Sequence, residues 1–166
     1  MEKTRKILFA AVSIATATWA GSVSSADLPK EGKFNYTACW SGTSNMIQFS
    51  KTHVGMSYEF LGMTRTDPPG GMFDMSTFRC VGSNAIFDKQ FSSIVTCESV
   101  NPDGDKVLSY FHAGNDRKVI REVVAGTGKY EGIVVDGTVT PIGPFPTIKP
   151  GTFQACNQQS GTYKLK

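Results

Sequence analysis

The sequence is short of the residues that most often announce chemistry. Its 166 residues include two histidines, His53 and His112, each far in sequence from any second metal ligand. The four cysteines make no CxxC pair, the close spacing that a structural zinc site favours. No GxSxG elbow is present, so a hydrolase nucleophile on a strand-to-helix turn has no footing. Helical periodicity is missing throughout, which argues against bundles and against folds built on strand–helix alternation. Charge of one sign is lacking too. Of 17 basic and 14 acidic residues, the first 26 positions hold three and one, leaving 14 against 13. A balance of +1 supports neither nucleic acid nor an acidic membrane as a partner.

What is present begins with a secretory signal pattern. MEKTRK carries Lys3, Arg5 and Lys6; an apolar run, ILFAAVSIATATWA, follows; small residues lead up to Ala26. This charged, apolar, small-residue order predicts cleavage after Ala26, with Ala20 as the second choice. The apolar run is short for a transmembrane helix, and no cysteine near the cut indicates a lipid anchor. Residues 27–166 are then one exported domain, in the bacterial periplasm or outside the cell, large enough to bury a core.

That domain reads as strands. In FNYTACW, Phe34, Tyr36, Ala38 and Trp40 fall on one face and Asn35, Thr37 and Cys39 on the other. This period of two marks a half-buried strand. Further candidates span 46–50, 56–65, 76–83, 91–100, 106–112, 118–124, 132–140, 152–156 and 162–166. The connectors are turn-formers: Asp67-Pro68-Pro69-Gly70-Gly71, Asp88-Lys89, Asp103-Gly104, Asn115-Asp116 and the proline-rich 141–151. Seven or more short strands at regular spacing predict an all-β sandwich or barrel, and a closed barrel leaves no sheet edge exposed.

An even cysteine count in an exported chain predicts two disulfides. If Asp88 and Lys89 centre a hairpin, Cys80 and Cys97 stand directly opposite each other across it. Cys39, in the first strand, is left with Cys156, near the last, so that their bond would staple the two ends where a barrel closes.

Two stretches imitate ligand loops. Gly126-Thr127-Gly128-Lys129-Tyr130-Glu131-Gly132 has the glycines and lysine of a phosphate loop. It lacks the Ser or Thr after the lysine, and the β-branched GIVVDGTV that follows is no helix. Asn101-Pro102-Asp103-Gly104-Asp105 opens like a calcium loop, but Lys106 and His112 stand where glycine and a carboxylate belong. Both read as turns, with Tyr130 packing over the first. The G-x-G-x-Y-x-G of Gly126, Gly128, Tyr130 and Gly132, leading into a strand, resembles the motif of the allene oxide cyclase and dirigent barrel superfamily. The resemblance covers that late hairpin and the general layout, about a third of the chain. It implies a calycin-like, eight-stranded antiparallel barrel in an exported bacterial branch. Only a structural role for those four residues carries over, because no position matches the catalytic residues of the cyclases or dirigents.

Barrels of this size are often solid, so a filled interior is the leading expectation. A pocket, if present, is expected to be lined by Tyr36, Trp40, Tyr58 and Tyr110, with His112 and the in-strand charges Glu59 and Arg79 as its polar groups. Arg121 and Glu122 are adjacent, so one of them must face inward. Such a pocket would take a small amphipathic ligand without a cofactor. The leading functional expectation is a non-catalytic binding or structural protein; the alternative is a cyclase- or isomerase-type enzyme. An outer-membrane barrel is a third possibility, which would require an apolar outer wall.

Overall fold

The computed structural model describes residues 28–143 and 145–166, so the signal pattern lies outside the described residues. Eight strands follow one another: β1 (Glu31–Gln48), β2 (His53–Thr66), β3 (Thr77–Phe87), β4 (Gln90–Val100), β5 (Lys106–Ala113), β6 (Ile120–Gly126), β7 (Val134–Ile142) and β8 (Thr152–Lys164). They form one antiparallel sheet in the order β6-β5-β4-β3-β2-β1-β8-β7. The outer members, β6 and β7, come side by side, so the sheet curls into a nearly closed barrel. Closure therefore falls between β6 and β7. The expected closure at the first and last strands is corrected: β1 and β8 are fully paired inner members, from Glu31 opposite Lys164 to Thr43 opposite Thr152.

Alternation sets the wall. Along β1, Phe34, Tyr36 and Ala38 are buried, while Lys33, Asn35 and Cys39 are exposed. β1 runs through two segments that the sequence separates, 34–40 and 46–50, because Gly42 keeps the inner face narrow there. A Cβ on Gly42 would strike the Glu59 carbonyl, Phe60 and Phe153. β8 likewise joins 152–156 to 162–166 through a polar stretch whose alternate residues point inward.

Both disulfides join directly opposed residues, Cys39 with Cys156 on β1 and β8, and Cys80 with Cys97 on β3 and β4. The second closes the hairpin around Asp88-Lys89, where Phe87 faces Gln90. Asp88 takes a φ of 56°, the left-handed conformation that suits Asp in a two-residue turn.

The barrel has two unlike ends. One carries the β2–β3, β4–β5 and β6–β7 connections and is plugged. The β2–β3 loop folds Met72 and Phe73 inward, where they pack with Phe34, Tyr36, Val107 and Tyr130. Thr64 fixes that loop by donating its hydroxyl to the Phe73 carbonyl, and the Asp74 carboxylate accepts the N–H groups of Thr66 (2.9 Å) and Gly70 (2.7 Å). The β6–β7 connection is a short 3-10 turn, Gly128–Tyr130, whose Tyr130 ring stacks on Phe73 at 5.7 Å. The other end carries the remaining four connections.

Candidate functional site

Above the plug the interior is not filled, which corrects the expectation of a solid core. A cavity of about 450 Å³ runs between the plug and the opposite end. Its size lies within the roughly 300–1,000 Å³ of small-molecule sites. Aromatic and aliphatic side chains make its walls: Trp40, Phe60, Phe78, Val95, Phe111 and Val139, with the Cys80–Cys97 disulfide set among them. The lining continues to Val119 before β6 and to Pro141, Ile142 and Gly143 at the end of β7. The last three are exposed, so the mouth opens at the seam between β6 and β7.

The floor is polar. Arg121 of β6 points inward and lies over the Phe73 ring of the plug, 4.9 Å from its centroid. Its Nη1 donates to the Tyr36 hydroxyl at 2.8 Å and to Gln159 Oε1 at 3.3 Å. Nε and Nη2 both donate to the Ser109 hydroxyl, at 3.3 and 3.1 Å. Tyr36 in turn donates to Gln159 Oε1 at 2.6 Å. These partners are neutral. Burial raises the Tyr36 phenol above its ordinary pKa, outweighing the pull of the Arg121 charge and its hydrogen bond. Tyr36 is therefore a phenol at neutral pH, not a counter-ion. The ion pairs of the described residues lie elsewhere: Glu59–Arg79, Glu98–Lys106, Asp103–Lys129, His53–Asp88 and His112–Glu122. Arg121 is thus a permanent cation at the bottom of an apolar chamber, held by dipoles alone.

The residues picked from sequence divide between the two faces of the wall. Tyr36 and Trp40 line the cavity. Tyr58 points inward but sits above the cavity, bonded to Asn84 Oδ1 at 2.9 Å and packed on Phe60 and Phe153. Glu59 and Arg79 are corrected: they form an ion pair on the outer wall, Nε to Oε1 at 2.7 Å. That pairing holds the Glu59 carboxyl below the usual carboxylate range. Tyr110 and His112 are also corrected; they stack on each other outside the barrel, and His112 Nε2 lies 3.3 Å from Glu122 Oε1. The inward member of the Arg121–Glu122 pair is Arg121. Ser109 and Gln159, buried polar residues that complete the floor, carry no sequence signal, because a serine or glutamine in a strand is ordinarily solvated.

The loops that imitate ligand sites bind each other. The Asp105 carboxylate accepts the Lys129 N–H at 3.3 Å, and Lys129 Nζ donates to Asp103 at 2.8 Å. The carboxylate occupies the place beside Gly128 that a phosphate would need. Asn101 Oδ1 accepts the N–H groups of Asp103 and Asp105, so it closes a turn of its own.

The cavity's chemistry follows from its lining. Among the described residues that form it there is no Asp, Glu, His or Lys, and its cysteines are oxidised. A general acid or base that works near neutral pH needs a pKa near that range. Arginine and a phenol of raised pKa do not offer one. The arrangement can hold an anion or a hydrogen-bond acceptor on Arg121 and an apolar body against the aromatic wall. No protein-family model, curated protein or solved structure matches this chain.

Proposed function

We propose that the protein binds a small amphipathic molecule inside its barrel, with an anionic head on Arg121 and an apolar tail along Trp40, Phe60, Phe78 and Phe111. One observation carries this reading: the cavity of about 450 Å³ has apolar walls and a single cation without a carboxylate partner. An unpaired charge in such a place is costly to the fold. A ligand that supplies the missing negative charge offsets the cost. Two disulfides fit a chain that folds in an oxidising compartment, where such a ligand would be met. The layout of eight strands with an inward Tyr130 supports the resemblance to cyclase and dirigent barrels as one of architecture. A cyclase-type reaction in this cavity would have to rely on its shape and on Arg121, since the described lining holds no carboxylate or histidine.

Trp40 gives a direct test. Residues 27–166 contain all eight strands, both disulfides and no other tryptophan. Titration with medium-chain fatty acids should change Trp40 fluorescence saturably, and the matching alkyl trimethylammonium salts should not. Arg121→Met should weaken carboxylate binding by roughly tenfold or more, the order expected for a charge-assisted contact. Equal binding of the acid and the ammonium compound would remove the anion-binding reading. Absence of any saturable change would remove the ligand reading altogether.

A further inference from the structure

The balanced net charge of the strand-bearing chain conceals a local excess of cations at one end of the barrel. The four connections at the mouth end carry five basic residues, Lys51, Lys89, Arg117, Lys118 and Lys149, against two acids, Asp88 and Asp116. The three connections at the plugged end carry Asp67, Asp74, Asp103, Asp105 and Glu131 against Lys129, and the two described chain ends add Lys30, Lys33, Lys164 and Lys166 against Glu31, so that end is close to balanced. All five basic side chains at the mouth end are exposed, and none is in an ion pair among the described residues.

The same end exposes apolar side chains that a solvated turn does not need. Phe49 in the β1–β2 connection is 88% exposed, Ile47 near the end of β1 78% and Ile148 in the β7–β8 connection 87%, and Met46, Phe87 and Phe145 at the same end are exposed as well. They do not stand singly. The ring of His53 lies between those of Phe49 and Phe87, at 6.4 and 6.3 Å, which joins the β1–β2 and β3–β4 tips into one apolar strip. Hydrogen bonds tie the turns to one another. Asp88 N–H meets the Thr52 carbonyl at 2.8 Å, Phe91 N–H meets Asn115 Oδ1 at 2.6 Å, and Ser44 N–H meets the Gly151 carbonyl at 3.0 Å. This end of the barrel therefore carries exposed apolar side chains interspersed with cations, and Pro141, Ile142 and Gly143 at the cavity mouth lead into its β7–β8 connection.

We infer that this end docks on the surface of an anionic phospholipid bilayer. Phe49, Ile47 and Ile148 would enter the interface, and the lysines and Arg117 would lie among the lipid phosphates. Apolar side chains with interspersed Lys and Arg are the composition by which a folded surface lies on a membrane. Each basic residue near an anionic leaflet adds to the attraction. A spanning mode does not fit, since the outer wall carries Lys33, Glu59, Arg79, Glu98 and Glu122 where lipid tails would lie. Docked this way, the top of the β6–β7 seam, where the mouth opens, lies near the bilayer, and the cavity can receive an amphiphile without carrying its tail far through water. This last step rests on the ligand reading above; the docking itself does not.

The test uses residues 27–166, which hold the whole barrel and exclude the apolar N-terminal run as an anchor. Co-sedimentation with phosphatidylglycerol-containing vesicles should be strong and should weaken with added salt; vesicles of phosphatidylcholine alone should retain little. Phe49→Ser with Ile148→Ser should reduce binding by roughly tenfold or more, as should Lys51→Glu with Lys149→Glu. These positions are exposed, so circular dichroism and disulfide content should match the parent. The fatty-acid titration of Trp40, run without vesicles, should be unchanged in both variants, which separates failure of docking from failure of the ligand reading. Binding that ignores lipid charge, or that survives both pairs of substitutions, overturns the inference. So does a self-association that the serine pair abolishes while vesicles retain no protein, since the rim would then be a contact between copies.

Discussion

At the scale of single residues the decisive side chain is Arg121, and its energetics distinguish a ligand site from a strut. Its guanidinium is surrounded by the Tyr36, Ser109 and Gln159 dipoles, without an opposing charge among the described residues. Replacing a buried ionic group by an apolar one of similar volume is often neutral or stabilising. Arg121 is half-buried; when its guanidinium is removed the Tyr36–Gln159 bond remains and the Ser109 hydroxyl alone loses its partner. Arg121→Met without ligand is therefore expected to range from unchanged to about 2 kcal/mol more stable in urea denaturation. A loss of that size would make the arginine a structural brace and remove the main support for an anion site. Sequence alternation required one of Arg121 and Glu122 to face inward but left open which one. The reason is local: Ile120 and Val124 on the outer face are as apolar as Val119 and Val123 on the inner. The same ambiguity misplaces Glu59, whose outer neighbours Leu61 and Met63 are both apolar and each 60% exposed. In β5 the rings of Tyr110 and His112 lie outside, while Phe111 lines the cavity and Ser109 turns in to meet Arg121.

At the scale of elements, turn chemistry was the most legible part and the plug the least. Asp88-Lys89, Asp103-Gly104 and the glycines around Lys129 each terminate strands as their residue types require. The stretch after Asp67-Pro68-Pro69-Gly70-Gly71 is different. Met72 and Phe73 have no periodicity to place them, and Phe73 and Met75 adopt positive φ angles of 70° and 51° that no sequence rule selects. Tertiary contacts hold them there, and Asp74 is the latch. Burial pushes the Asp74 carboxyl up, but the hydrogen bonds from Thr66 and Gly70 outweigh it and leave its pKa below the usual range. A depressed carboxylate contributes stability above its unfolded pKa and loses it as pH falls through the folded value. Asp74→Ala should thus cost about 1–3 kcal/mol at neutral pH, the price of bonds to a charged acceptor. The gap from the parent should narrow in acid, below about pH 4. Urea midpoints measured across that range check both the size and the sign. A gap that stays constant with pH would mean that the carboxylate is not what holds the loop.

At the scale of the whole molecule, the barrel is strapped on one side and open on the other. Cys39–Cys156 binds β1 to β8, and Cys80–Cys97 binds β3 to β4, while the β6–β7 seam beside the mouth has no covalent link. The straps differ in what they constrain. Cys39–Cys156 spans 117 residues and Cys80–Cys97 spans 17. In the chain-entropy treatment the longer loop contributes about 4–5 kcal/mol and the shorter about 3. Packing enters differently as well. Cys80 and Cys97 are buried in the cavity wall, so replacing them also changes the core. Cys39 is exposed and Cys156, part of the cavity lining, is half-buried, so Cys39→Ser with Cys156→Ser reports the unfolded chain's freedom with less change in the core than replacing the inner pair. That pair of substitutions should lower the unfolding free energy by about 4 kcal/mol. Wherever the protein remains folded it should preserve saturable fatty-acid binding at Trp40, because Arg121 and the aromatic wall are not held by this bond, although Cys156 itself lines the cavity. Denaturation and ligand titration on the same preparation check both halves. If stability falls as stated and affinity falls with it, the β1–β8 strap shapes the cavity. If stability hardly changes, residual order in the unfolded state already brings the strands together.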